Sequence, residues 1–176
     1  SSPRYILRVS NMSPIESPYF IVNPRASGGM SKRLLRDVEL KIKAAFPSGV
    51  IRRTKGPGAA SDLAQEARRQ GIQSLGVVGG DGTINEVING LLRDGPEGHM
   101  PSVALLPIGT GCDLAKSLDV PRNIDKALEI MKAGETRLSD VGRIQCHSCE
   151  DSSPMVHYCS NIGSFGASGE LVRRVN

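Results

Sequence analysis

Val77-Val78-Gly79-Gly80-Asp81-Gly82-Thr83-Ile84-Asn85-Glu86-Val87 decides how this chain is read: a short apolar run breaks into a glycine-rich turn with one carboxylate, then re-enters a helical pattern. Three glycines within four positions remove the Cβ atoms that would hold a ligand away, and they permit the positive-φ angles of a tight turn. Backbone N–H groups can then face an anion. Thr83 is placed to cap a helix beginning near Ile84, whose free amides and positive dipole end attract phosphate. Asp81 is the exception in such a cradle. A carboxylate among phosphate donors repels the ligand unless it holds a cation or takes a proton, so it points to Mg²⁺ handling or base chemistry. The alternative is an ordinary strand-to-helix turn.

The flanking segments repeat the arrangement. Pro18 to Val22 reads as a buried strand ending in Asn23-Pro24-Arg25-Ala26-Ser27-Gly28-Gly29, a polar turn ahead of a helix from about Ser31. In that helix Leu34, Leu35, Val38, Ile42, Ala45 and Phe46 recur at helical spacing, with Lys and Arg off the stripe, until Pro47. A second strand over 50–54 delivers Thr54 and Lys55-Gly56-Pro57-Gly58, then a helix from about Ala59 to Gln70 closed by Gly71. Leu75 to Val78 is the third strand, and the helix after it ends at Asp94-Gly95-Pro96. Val103 to Leu106 is the fourth. It delivers Pro107-Ile108-Gly109-Thr110-Gly111-Cys112-Asp113-Leu114, where Asp113 is placed to cap a short helix, and one more helix spans Asn123 to Ala133.

Strands alternating with helices imply an α/β fold with a doubly wound, mainly parallel sheet and ligands at the carboxyl ends of the strands. Asn23, Thr54, Gly79 to Thr83, and Gly109, Thr110 and Gly111 each follow a predicted strand, so distant segments converge on one nucleotide crevice. The predicted organisation is an N-terminal extension over 1–17, an α/β nucleotide-binding domain over 18–136, and the start of an antiparallel β domain over 137–176. In that last part Arg137 to Ile144 and Met155 to Ile162 read as a hairpin, and Gly169 to Asn176 as the first turns of a helix. Two strands make no stable sandwich, so the expectation is a piece of a longer two-domain protein.

Composition narrows the class. The 176 residues are 39% hydrophobic with no run long enough to cross a bilayer, and no Trp, three Tyr and three Phe leave nothing for stacking bases. Nucleic acid is therefore not an expected partner. Residues 1–55 hold eleven Lys/Arg against three Asp/Glu, net +8, and residues 56–176 hold eleven against fifteen, net −4. The basic end suits nucleotide phosphates or an anionic lipid surface. Four Cys without a signal peptide point to a reducing, cytoplasmic setting, and self-association into a homo-oligomer stays open.

Four stretches together resemble the diacylglycerol kinase catalytic domain family, which includes sphingosine, ceramide and bacterial lipid kinases. They are Val22-Asn23-Pro24-Arg25, Thr54-Lys55-Gly56-Pro57-Gly58, Gly79-Gly80-Asp81-Gly82-Thr83 with Asn85-Glu86-Val87, and Leu106-Pro107-Ile108-Gly109-Thr110-Gly111 with Asp113-Leu114-Ala115. Ser160 to Gly166 looks like the family's entry into its C-terminal domain. The resemblance implies a lipid kinase passing the γ-phosphoryl group of ATP to a lipid hydroxyl with Mg²⁺, at a membrane reached by peripheral docking. By the same resemblance Asn23, Pro24, Arg25, Thr54, Gly79, Gly80, Asp81, Gly82, Thr83, Asn85, Glu86, Gly109, Thr110 and Gly111 contact ATP. Asp81 serves Mg²⁺–phosphate organisation and is the catalytic candidate. Cys112 stands where the family usually has Asn, which exchanges an amide for a weak thiol. A C-terminal carboxylate element of the family has no counterpart before Asn176, so the isolated chain is expected to transfer phosphate weakly or not at all.

An NAD kinase-like phosphotransferase shares the Gly-Gly-Asp-Gly turn, but Asn85-Glu86 directly after it and the later Pro-Ile-Gly-Thr-Gly stretch resemble the lipid kinases. A non-catalytic nucleotide-binding module is the rival from another class. Cys146, Cys149, His157 and Cys159 could supply zinc ligands, against the alternative of a loop with ordinary side chains.

Overall fold

Four short segments align side by side, each followed by a helix that returns the chain to the same edge; the central segments at 19–22 and 74–79 are buried along their whole length, whereas the edge segment at 50–53 ends in the exposed Arg52 and Arg53. The computed structural model describes residues 17–108, 112–147 and 151–160. Gly109, Thr110, Gly111 and Cys149 lie outside them, as do the predicted helix from Gly169 and nearly all of the predicted extension. The elements are β1 (Tyr19–Val22), α1 (Lys32–Ala45), β2 (Val50–Arg53), α2 (Ala59–Arg69), β3 (Ser74–Gly79), α3 (Asp81–Leu91), β4 (Ser102–Pro107), α4 (Asp113–Ser117), α5 (Ile124–Ala133), β5 (Gly142–His147) and β6 (Pro154–Cys159). A 3₁₀ turn at Ala26–Gly28 precedes α1.

The sheet is parallel in the order β2-β1-β3-β4, with Ile21 level with both Arg52 and Val77, and Val77 level with Leu105. Alternation then sorts the side chains. Tyr19, Ile21, Leu75, Val77 and Leu105 face Ala60, Ala64 and Ala67 of α2, Ile84, Val87 and Leu91 of α3, and Leu114 and Ala115 of α4. Phe20, Val22, Val78 and Leu106 face Val38 and Ile42 of α1 and Ala127, Leu128 and Met131 of α5. Full burial of Phe20, Ile21, Ile42 and Leu75 contributes roughly 1.5–3 kcal/mol each. The chain leaves β1 for β2 on one side and returns to β3 on the other, so the switch point lies between the carboxyl ends of β1 and β3. Asn23 and Gly80 stand there.

Helix α2 lies close on α3. A Cβ on Gly90 would come within 2.1 Å of the Ser61 carbonyl oxygen, so glycine is what permits the approach. The Arg68 guanidinium fastens the far end, donating to the carbonyls of Leu91, Gly95, Glu97 and His99. Lys41 on α1 pairs with Asp125 on α5, tying the helices of the opposite face.

Two predicted boundaries change. Helix α3 begins at Asp81 rather than near Ile84, with Gly80 as its N-cap and no side-chain cap, so Thr83 is inside the helix and does not cap it. The predicted strand from Arg137 is irregular as far as Val141, because the pairing of β5 with β6 ends where Gly142 meets Cys159. Arg137, Ser139 and Val141 instead border an apolar groove of about 290 Å³ between α3, β4 and α4. The antiparallel β5–β6 pair is a separate sheet, exposed along most of its length, with Tyr158 its buried residue.

Candidate functional site

The parallel ladder extends one step past the strands and so lines up the turns. Asn23 N–H donates to the Val78 carbonyl at 2.9 Å, Thr54 N–H to Val22 at 2.9 Å and Ile108 N–H to Gly79 at 3.1 Å. Asn23 then joins three turns through its side chain. Its Nδ2 donates to Thr83 Oγ1 at 2.8 Å, while its Oδ1 accepts from the Arg25 amide at 2.9 Å and from the Thr54 hydroxyl at 3.3 Å. Thr83 is 5% exposed, so its hydroxyl serves this relay rather than solvent.

The glycines of the Gly79–Gly82 turn act through space rather than through unusual dihedral angles. None of the three has a positive φ, contrary to the expectation from sequence, and Gly80 sits at φ −101°. Gly79 is required because a Cβ there would lie 2.6 Å from Thr83 Oγ1. A Cβ on Gly82 would meet nothing within 4 Å, and one on Gly80 only the Ile108 carbonyl at 3.9 Å, so the outer face of the turn is open. Left-handed glycines do stand in the neighbouring turns, at Gly28, Gly29 and Gly58.

The carboxylates are where the geometry departs most from sequence reasoning. Asp81 Oδ2 accepts the Asp113 amide at 2.8 Å and Oδ1 the Leu114 amide at 3.2 Å, so Asp81 caps α4. Asp113, the predicted cap, is instead the first residue of α4, with Cys112 at the N-cap position, and its carboxylate pairs with Lys116 at 2.6 Å. Glu86 Oε2 accepts the Ala60 amide at 3.3 Å in the first turn of α2. Helix α3 therefore supplies the acceptors for both neighbouring helices while its own first-turn amides, those of Asp81, Gly82 and Thr83, have no cap. These amides carry the positive end of the α3 dipole and face the open side of two glycines.

Cationic residues stand in the turns that adjoin this opening. Arg25 and Lys55 are exposed in the adjoining turns, and neither makes an ion pair with a described residue. The donor set fits a polyphosphate: open amides, bare glycines and cations at one edge. It also fits Mg²⁺ held mainly by phosphate and water, since each Asp81 oxygen keeps a lone pair after accepting one amide. No group of three His, Cys, Asp or Glu able to hold a metal exists among the described residues. Of the candidate zinc ligands, Cys149 lies outside the described residues, and Cys146, His157 and Cys159 belong to no metal-holding group among those described.

Cys112 is 1% exposed, and its thiol donates toward the Gly79 carbonyl at 3.8 Å. The departure at this position thus faces the core beneath the turn. Burial pushes the thiol pKa up, and the Asp81 charge adds to the shift. Pro24 and Asn85 flank the crevice, Pro24 accepting from the Met30 amide and Asn85 from the Asn89 side chain at 2.9 Å. Sequence reasoning missed Asn89, whose carboxamide holds the backbone of Tyr158 through Nδ2 at 2.7 Å and Oδ1 at 2.9 Å. The available signal was an amide on the polar side of α3 one turn beyond Asn85.

A doubly wound sheet that gathers an open helix terminus, bare glycines and a carboxylate at its switch point defines an α/β domain with an anion-receptive crevice. The diacylglycerol kinase catalytic domain matches residues 17–144, and the chain belongs to that family. Probable lipid kinase YegS of Salmonella heidelberg (strain SL476) is 34% identical over 142 residues, covering 78% of this chain and 45% of that protein. The protein of the same name from Salmonella arizonae is 39% identical over 111 residues, 63% of this chain and 34% of its own length. A crystal structure of a diacylglycerol kinase from Bacillus anthracis strain Sterne superposes with a TM-score of 0.60 at 32% identity, over 76% of this chain and 44% of that one. The chain thus spans less than half the length of these relatives.

Proposed function

We propose that the chain is the ATP-binding part of a lipid kinase that transfers the γ-phosphoryl group of ATP to a lipid hydroxyl. The observation that carries this reading is the uncapped N-terminus of α3, kept open while Asp81 and Glu86 cap the helices on either side. In this reading the first-turn amides of α3 receive phosphate oxygens, Arg25 and Lys55 offset their charge, and Thr54, Asn23 and Thr83 hold the turns in register. Gly109, Thr110 and Gly111, outside the described residues, are assigned to ATP by the family resemblance alone. Asp81, which accepts the α4 amides, would also help to hold Mg²⁺, and the ion would supply charge neutralisation on the transferring group. We assign residues 18–136 to the nucleotide-binding domain and 137–176 to the start of the lipid-side β domain.

The charged face of α1 supports a membrane partner. Lys32, Arg33 and Arg36 are exposed without ion pairs to described residues, and Leu40 is 57% exposed among them. Such a surface suits peripheral docking on anionic lipid. No described helix is long and apolar enough to cross a membrane.

The test is transfer of labelled γ-phosphate by the full-length protein to diacylglycerol, sphingosine, ceramide and phosphatidylglycerol, with NAD as a control acceptor. We expect one lipid to be phosphorylated, and Asp81→Asn to reduce turnover by about a hundredfold or more while ATP affinity changes less than about tenfold. Phosphorylation of NAD alone, or normal turnover by Asp81→Asn, would overturn the assignment.

A further inference from the structure

Asn89 stands two turns along α3 from Asp81, and every polar atom of its carboxamide is engaged. One Nδ2 hydrogen goes to the Asn85 carbonyl at 2.9 Å, one turn back along the helix, and the other to the Tyr158 carbonyl at 2.7 Å. Its Oδ1 accepts the Tyr158 amide at 2.9 Å. The N–H and C=O of one strand residue point the same way, so Tyr158 presents both to the edge of β6 turned from β5. There the planar amide of Asn89 replaces what a neighbouring strand would offer. Tyr158 is also the residue of β5 and β6 that is buried, so the contact with α3 is concentrated at this one position.

We infer that Asn89 is a positioning residue that couples the second sheet to the phosphate turn. Helix α3 carries the open amides at its first turn, the Glu86 cap of α2 in its second, and the Asn89 grip on β6 in its third. A shift of the second sheet therefore reaches the phosphate turn through one rigid helix. This inference rests on the proposed kinase reading, in which the second sheet belongs to the lipid side. It makes Asn89 the element that sets the distance between acceptor and phosphate. No ordinary replacement reproduces the contact. Asp lacks the two donors and sets a charge against the Tyr158 carbonyl, Leu lacks donors and acceptor, and Gln is one methylene too long.

The experiment uses the full-length protein carrying Asn89→Asp, with Asn89→Leu as a second variant. Hydrogen exchange at the Tyr158 amide should accelerate by about tenfold or more in both, while Val77 and Val78 in β3 keep their protection. The turnover number for lipid phosphorylation should fall by about tenfold or more, with ATP affinity held within about threefold. A residue that only stabilises the fold would lower the melting temperature and leave turnover below that temperature unchanged. Unchanged exchange at Tyr158, or faster exchange with unchanged turnover, would overturn the inference. Failure of the wild-type protein to phosphorylate any lipid would instead overturn the kinase reading. The Tyr158 exchange, measured with and without ATP, would then still decide the coupling: loss in Asn89→Asp of an ATP-dependent change seen in wild type supports it, and persistence overturns it.

Discussion

Cys112 illustrates how one side chain reports on the cradle above it. Its thiol is held above its ordinary pKa of 9.0 by burial and by Asp81, so the folded protein keeps the proton that the unfolded chain releases near that pH. Stability from this group is complete below about pH 9 and is lost as pH rises towards the folded pKa, because the unfolded state binds fewer protons there. Cys112→Ala should flatten the alkaline loss in thermal melts between about pH 8 and 10, and an unchanged profile would show that another group carries it. At pH 8 a thiol reagent should modify the exposed Cys146 first and reach Cys112 only as fast as the turn opens. The order of labelling, read by mass spectrometry, checks this. At this scale the sequence was a good guide to where the polar residues gather and a poor one to what each holds. Asn23, Asp81 and Glu86 are recognisable as a cluster from their places after strands. That Asp81 caps α4 and Glu86 caps α2 depends on helix spacing across 32 and 26 residues, which no local pattern encodes.

The pairing of α2 with α3 sets the next scale. Ala60, Ser61 and Ala64 are buried on one side of α2 and Gly90 is buried on α3, so the backbones meet without bulky side chains between them. In an open helix Gly→Ala stabilises by about 1 kcal/mol. Here the added carbon would sit 2.1 Å from the Ser61 carbonyl, and the helices must separate. Gly90→Ala should therefore destabilise by about 1–3 kcal/mol in denaturant titrations, and a gain in stability would show that the two backbones do not approach this closely. Helix existence was readable because the apolar stripes are local and regular. The Arg68 clamp was not, since an arginine at the end of an amphipathic helix looks the same whether it meets water or four carbonyls. The beginning of β5 was also hidden, because pairing stops where the partner strand ends rather than where β-prone residues do.

For the molecule as a whole, charge separates from structure. Lys41, Arg53 and Lys43 are spent on Asp125, Glu39 and the Gly49 carbonyl, while Lys32, Arg33 and Arg36 remain exposed. Binding of the full-length protein to vesicles containing anionic phospholipid should weaken by about tenfold between 50 and 200 mM salt, and be negligible on neutral vesicles. Salt-independent binding would assign the contact to apolar insertion. The one-way capping of α2 and α4 by α3 constrains how the chain folds. Neither α2 nor α4 acquires its terminal acceptor until α3 has docked, and α3 in turn meets Asn23 across 60 residues and Tyr158 across 69. The order of assembly is thereby constrained: contacts this far apart in the chain form late and together, so the cradle should become competent in a single slow step. A polyphosphate that recognises only the finished cradle then acts on the whole domain, raising its resistance to unfolding and not merely that of the turn it touches.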